Sequence, residues 1–336
     1  MIIVFNINQS INIFFMSVNF EEKKIVIFGG NGFIGKQLIN KLCKLSCSIS
    51  IVTRENRNLN KIRFPGSLLG QVSVITINEF NEKTLEKIIQ GNDIVINLIG
   101  ILFENKKQSF DYVHNTLPGL IAKISKKQNI QTLIHLSALG VERISESKYA
   151  VSKFKGEKNV RGQFQNSVII RPSVVFGSED NFINLFSDIS NFSPFLPILG
   201  SPKVKFFSTK LPEINFSEGG VSFQPVYVGD LVDFIILSCR SKNKMFEIAG
   251  PQIYSFKEIM ELILKTKKIN RLCIPIPLNL AKIPAFFLEK FPKPLLTLDQ
   301  IKLLRYDNVS DNGLLNLKKF VSYPKSLEIM LPTYIR

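Results

Sequence analysis

Acidic side chains, histidines, cysteines and long apolar runs are all in short supply in this chain, and each shortage excludes something. There are two histidines, His114 and His135, and four cysteines, Cys43, Cys47, Cys239 and Cys273. No CxxC pair is present, so the chain offers no set of residues at metal-ligand spacing, and no metal is expected. The thiols read instead as buried or inert groups of a reducing compartment. No run reaches the roughly 18 apolar residues a membrane-spanning helix requires. The opening MIIVFNINQSINIFFMSVNF contains no Lys or Arg, which excludes a secretory signal or a transit peptide. Residues 1–22 read as a disordered extension or as a start placed too early, with Met16 the true first residue. Acidic residues number 27 against 43 basic ones, a formal charge of +16. That excess favours a phosphate-rich ligand, an acidic partner or an anionic membrane surface. The lysines are scattered, so a solvated surface and a basic docking face both remain open. Aromatic stacking motifs, zinc fingers and basic repeats are missing, and nucleic acid is not an expected partner.

What is present is a folded chain of 336 residues, 45% hydrophobic and 21% charged, long enough for one large or two small domains. Lys24 to Phe28 is a continuous apolar run ending at glycines, the form of a buried parallel strand. The following GFIGKQLINKLCKL places Ile34, Leu38, Leu42 and Leu45 on one helical face. SISIVTR, VSVITI at 72–77, DIVINLIGI and TLIHLSA at 132–138 are further strands, separated by helical segments. SVIIRPSVVFG at 167–177 is another, broken at Pro172. This alternation predicts an α/β fold, a Rossmann-like doubly wound parallel sheet with a smaller C-terminal α/β lobe. The sheet domain is expected over 23–178, with 223–242 returning to it, and the smaller lobe over 179–222 and 243–336. NFINLFSDISNF reads as a helix ended by the prolines of FSPFLPILG, and 201–222 as a long loop or hairpin. LNLAKIPAFFLEKF is apolar and interrupted by Pro284. Its Phe286, Phe287, Leu288 and Phe291 either close the core of the small lobe or, beside Lys282 and Lys290, form a docking surface.

GGNGFIG sets Gly29, Gly32 and Gly35 as GxxGxxG between the first strand and its helix. Glycines there permit a tight turn, close approach to a pyrophosphate and close helix–strand packing, and the helix start supplies amides to the phosphates. A dinucleotide is therefore expected. At the end of the second strand, where NAD sites present an acid to the ribose, this chain has Arg54, with Arg57 in reserve. NADP(H) is favoured over NAD(H), with Glu55 the acceptor if the register differs by one. In YAVSKFKGE, Tyr149 and Lys153 stand four apart on one helix face. A nearby ammonium lowers a phenol's pKa, so the pair suits proton exchange as well as cofactor binding.

Together, GxxGxxG, NLIG at 97–100, HLSALG at 135–140, YxxxK, RPSVVFG and FQPVYVGD resemble the extended or atypical branch of the short-chain dehydrogenase/reductase superfamily. More narrowly, INLIGILFE, RPSVVFGSEDNFINLF and PLLTLDQIKLLRYDNV resemble the accessory-subunit family of respiratory complex I (NADH:ubiquinone oxidoreductase) and its bacterial relatives. The likeness runs from about residue 23 to 325. It implies that Gly29, Gly32, Phe33 and Ile34 line the pyrophosphate and that Arg54 meets a 2′-phosphate. It further implies that Leu98 and Gly100 flank the adenine-side ribose, that Tyr149 and Lys153 bind the nicotinamide ribose, and that Pro172 and Ser173 lie near the nicotinamide. Three features depart from the pattern. Asn78 stands where an Asp usually contacts adenine, 201–222 is longer than the usual short turn, and Ser137 lies only 12 residues before Tyr149.

Two functional expectations follow. In one, Lys153 depresses the Tyr149 pKa, Tyr149 exchanges a proton with a substrate oxygen oriented by Ser137, and the nucleotide carries hydride, as in a free NADPH-dependent reductase or epimerase. In the other, the same residues hold a nucleotide that scarcely turns over, and the chain serves as an accessory or assembly subunit among the subunits of complex I. It would then lie in the cytoplasm, or on the matrix side in a mitochondrion, peripheral to the inner respiratory membrane with contact to its anionic surface.

Overall fold

The computed structural model describes residues 20–54, 67–200 and 220–335, together with the backbone of two strands in the intervening 201–219. Residues 1–19 with Met16, and the neighbouring Glu55 and Arg57, lie outside the described residues; Phe20, expected in the disordered extension, is instead buried in the main core. The first half runs β1 (Lys24–Phe28), α1 (Phe33–Leu42), β2 (Ser48–Arg54), β3 (Val72–Ile77), α2 (Glu82–Ile89), β4 (Ile94–Asn97) and α3 (Leu117–Lys127). It continues through β5 (Thr132–Leu136), α4 (Lys148–Gln163) and β6 (Val168–Pro172). These strands form one parallel sheet, and a seventh joins its edge beside β6. The central strands are buried on both faces, which is why they read as largely apolar runs.

The chain then passes through β7 (Val175–Phe176), α5 (Ile183–Phe192), β8 (Phe195–Leu199), β9 (Lys203–Phe207), β10 (Lys210–Asn215), β11 (Ser222–Phe223) and β12 (Val226–Tyr227). It returns to the sheet through α6 (Val228–Ser238) and β13 (Lys244–Ile248). β14 (Tyr254–Ser255), α7 (Phe256–Lys267), β15 (Leu272–Ile276), α8 (Leu278–Leu288), α9 (Leu298–Leu303), α10 (Gly313–Lys318) and α11 (Leu327–Met330) complete it.

Sheet order is β13-β6-β5-β4-β1-β2-β3. Chain direction along the sheet reverses between β1 and β4, and their carboxyl ends open the crevice in which such sheets bind ligands. One apolar layer places α1 and α6 on one face, where Leu38, Leu42, Phe234 and Ile235 are buried, and the opposite layer is built from α2, α3 and the end of α4. The smaller lobe has its own core, centred on Phe182, Phe186, Phe223 and Phe256 packed ring to ring.

Three segments differ from the reading of the sequence. Lys244–Ile248, expected in the smaller lobe, is the seventh strand of the main sheet, and Leu317 and Val321 around α10 pack into the same core. FLPIL at 195–199 is a strand rather than a terminator. β8 pairs in parallel with β15, and this two-stranded pair leaves each proline a side that needs no ladder bond. By contrast, the strands Lys203–Phe207 and Lys210–Asn215 pair antiparallel with a register shift, in keeping with the hairpin alternative for 201–222. Helix α8 continues through Pro284 and buries only Ala281 and Ala285.

Candidate functional site

The crevice is built first by glycines. Gly29 has φ +83°, and a Cβ there would stand 3.0 Å from the Leu98 carbonyl carbon, so the loop lies flat across the end of β4. A Cβ on Gly35 would come within 2.6 Å of Gly29 O and of Gly30 Cα and O, which lets α1 press directly on the turn. Gly32 is the extended N-cap of α1 and supplies no side-chain cap, so no cap side chain covers the amides of the first turn. That leaves the positive end of a helix facing the crevice, the arrangement that binds phosphate. Asn31 Nδ2 donates to Thr53 Oγ1 at 2.7 Å and ties this loop to the end of β2. Phe33 opens α1 with its ring against Gly177, and Ile34 beside it is half-buried. Lys36 pairs with Glu179 at 2.5 Å across the same edge.

At the adenosine end, Arg54 is the last residue of β2 and is exposed. With its amide oxygen turned towards Arg54, Gln108 accepts from the guanidinium. Asn78 directly follows β3 and is exposed. Leu98 and Gly100 follow β4, and Gly100, expected beside the adenine-side ribose, lies instead next to the other end, where a Cβ on it would stand 3.5 Å from Lys153 Nζ.

At the opposite end, α4 presents Tyr149 and Lys153. Lys153 is buried, and its ammonium donates to the Leu136 carbonyl at 3.0 Å. Burial holds that ammonium down to about 8. The Tyr149 ring meets Phe110 and His114 edge-on, at centroid separations of 5.8 and 5.1 Å. Burial pushes its phenol up to about 12, the opposite direction to the lowering expected from Lys153. Ser137 is buried, its amide donates to Ile170 O at 2.7 Å, and its hydroxyl has no partner within the protein. Pro172 ends β6, and Ser173 donates its hydroxyl to Asn308 Oδ1 at 2.7 Å.

The residues present fit a dinucleotide: an open glycine cradle at a helix start, a guanidinium at the end of β2, and an unpartnered Ser137 hydroxyl. A family model, the NAD dependent epimerase/dehydratase family, matches residues 25–249. The chain belongs to this family. Among its relatives is NADH dehydrogenase [ubiquinone] 1 alpha subcomplex subunit 9, mitochondrial, of Mus musculus, 30% identical over 90% of this chain and 77% of the relative. The NADH-ubiquinone oxidoreductase 40 kDa subunit, mitochondrial, of Neurospora crassa is 26% identical over 85% of this chain and 71% of its own length. Among solved structures, the epimerase Mth375 of Methanothermobacter thermautotrophicus superposes with a TM-score of 0.67 at 15% identity, over 96% of this chain and 93% of that one, a likeness of fold.

Within this epimerase/dehydratase frame, several side chains that sequence reasoning passed over shape the site. His114 Nε2 accepts from the Ile101 amide at 3.1 Å, so Nδ1 carries the proton and faces Ser152 Oγ at 3.0 Å. His135 Nδ1 lies 3.2 Å from Asn97 Nδ2, and its Nε2 is buried without a partner. Burial and the Lys153 charge keep both imidazoles neutral, His135 falling to about 3 and His114 lower still. Beneath α4, Arg171 bonds Glu157 through two nitrogens at 2.9 and 2.6 Å and Glu142 at 2.9 Å, fixing α4 to β6. The histidines carried one signal, polar residues inside apolar runs. Asp299 and Asn308 lie within PLLTLDQIKLLRYDNV, where the resemblance marked the segment but gave neither residue a role.

Proposed function

We propose that this epimerase/dehydratase-family protein holds NADP(H) as an accessory subunit of respiratory complex I, with little turnover. The observation that carries the reading is the contrast between the two ends of the crevice. The phosphate end is open and built for an anion. The Tyr149 ring is half-buried, packed edge-on against Phe110 and His114, and burial raises its phenol to about 12, far above the range of a neutral-pH base. The Lys153 ammonium and Tyr149 hydroxyl then bind the nicotinamide ribose, the first turn of α1 binds the pyrophosphate, and Arg54 binds a 2′-phosphate. The nicotinamide, when bound, supplies hydride chemistry; the chain positions it. Likeness to the mouse and Neurospora subunits along most of the chain supports the assembly role.

Helix α8 supports a docked rather than a free chain. Leu280, Ile283, Phe286 and Phe287 are exposed together, and Lys290 sits over the Phe286 ring at 4.5 Å. No helix among the described residues is long and apolar enough to cross a membrane. An apolar face edged by Lys282 and Lys290 suits peripheral contact with an anionic membrane beside the complex, on the cytoplasmic side or the mitochondrial matrix side.

Native mass spectrometry of the purified protein, alongside mild-detergent fractionation of respiratory membranes, tests the proposal. A retained 2′-phosphorylated dinucleotide and co-migration with NADH:ubiquinone oxidoreductase are expected. A nucleotide-free monomer wholly outside the complex would sink it. The rival reductase or epimerase reading draws on the unpartnered Ser137 hydroxyl. It requires NADPH consumption that Tyr149→Phe abolishes.

A further inference from the structure

We infer that Asp299, from the C-terminal lobe, is a positioning residue for the nicotinamide end of the crevice, an inference that rests on the nucleotide-holding role proposed above. Helix α4 carries Tyr149 and Lys153, yet its first turn contains no acidic residue of its own. Ser147 caps it by accepting from the Ala150 amide at 3.2 Å. The remaining amides at the helix start are met by a carboxylate 150 residues away in sequence. Asp299 Oδ1 accepts from the Lys148 amide at 2.8 Å, and Oδ2 accepts from the Tyr149 amide at 3.0 Å and from Ser147 Oγ at 2.7 Å. A carboxylate at a helix N-terminus is favoured both by hydrogen bonding and by the helix dipole.

Asp299 is itself held. It lies in the first turn of α9, which a reciprocal Thr297–Gln300 cap fixes, and Arg305 pairs with Glu146 at 2.9 Å just before α4. The same segment then crosses to the other wall. Asn308 Oδ1 accepts from Ser173 Oγ at 2.7 Å and from the Val174 amide at 2.8 Å, and the Asn308 amide donates to Ser222 O at 2.8 Å. One strap, 299–308, therefore fixes both the start of α4 and the turn after β6. The side-chain hydrogen bonds described for the glycine loop and for Arg54 run instead to Thr53 and Gln108. The strap thus acts on one end of the ligand only.

That asymmetry separates positioning from general stability. Calorimetric titration of the full chain with NADPH and with 2′-phospho-ADP, which lacks both the nicotinamide and its ribose, reads the two ends apart. Asp299→Ala should weaken NADPH on the order of tenfold or more, the loss of hydrogen bonds to a charged group. It should leave 2′-phospho-ADP within about twofold, since the adenosine end is untouched. Asp299→Asn, which keeps one acceptor oxygen and the side-chain shape, should fall between, and it serves should the alanine variant not fold. Unchanged NADPH affinity in both variants overturns the inference, and so does equal weakening of the two ligands, the mark of a merely structural residue. Failure of the unaltered protein to bind either ligand overturns the nucleotide reading itself, and this inference with it.

Discussion

Helices α6 and α8 are each eleven residues long and rich in apolar side chains, yet they meet opposite surroundings. α6 buries nine of its residues, Phe234 and Leu231 among them, between the sheet and α1. It even buries Asp230, whose carboxylate accepts from the Lys325 amide and is pushed up to about 6 by burial. α8 buries two alanines and leaves Phe286 and Phe287 48% and 60% exposed. α6 is the crossover that brings the chain back to the main sheet for β13, so it must lie on the sheet's face. α8 comes after that sheet is complete and rests on the small lobe. Apolar composition fixes what a helix prefers to contact; the path of the chain fixes whether this protein or another molecule provides it.

The comparison breaks first at its buried side. Phe234→Ala should cost about 3–5 kcal/mol, read as a fall in the urea midpoint, because the site is ringed by Phe246 and Phe320 and cannot collapse freely. A loss below about 1 kcal/mol would show that α6 is not the packed helix described. Gly35→Ala should cost roughly 1–3 kcal/mol, since its new methyl meets backbone rather than a flexible side chain. Nucleotide retention should fall with it, and a variant that binds like the parent would contradict the close packing of α1 on the glycine turn.

Acid sharpens the contrast without mutation. His114 and His135 are held neutral, with folded pKa values below the unfolded value of about 6.5. The unfolded chain therefore binds more protons in this range, so stability is complete above pH 6.5 and is lost as pH falls towards the folded values. Each histidine contributes a loss on the order of 2 kcal/mol between pH 6.5 and 5. Asp230 and Asp180, both raised by burial, act in the opposite direction and offset part of it. Thermal melts of the parent and His135→Gln across that window check the point: the variant's curve should be the flatter.

The smallest expected effect on stability belongs to α8. The double change Phe286→Ser, Phe287→Ser should alter the urea midpoint by no more than about 0.5 kcal/mol, because those rings contact little else in the chain. Binding to vesicles containing anionic lipid should fall sharply in the same variant. A large loss of stability would return these rings to the core of the small lobe.

Much of the sheet was legible. The strands β1, β2 and β3 fall where their sequence runs predicted; β1, buried on both faces, is a continuous apolar run closed by glycines, while the edge strand β3 mixes apolar with exposed polar residues. β13 was misplaced because KMFEIAG carries no mark of which sheet it joins, and β8 was missed because its proline reads as a stop unless the strand is known to be an edge. In the site, spacing alone put Gly29, Gly32 and Gly35 on one turn and Tyr149 with Lys153 on one helix face. The direction of the Tyr149 shift did not follow, since a period of four places two side chains together but says nothing of the rings packed against the tyrosine.

By itself, then, the sequence determined the strand–glycine–helix unit, the parallel alternation and the pairing of Tyr149 with Lys153. These depend on residues close in the chain, where periodicity and backbone sterics act directly. Only the tertiary structure decided that Tyr149 packs against Phe110 and His114, that α8 faces outward, and that Asp299 and Asn308 strap the crevice. Those outcomes depend on contacts between residues up to 159 apart, and such contacts exist only once the whole path of the chain has been laid down.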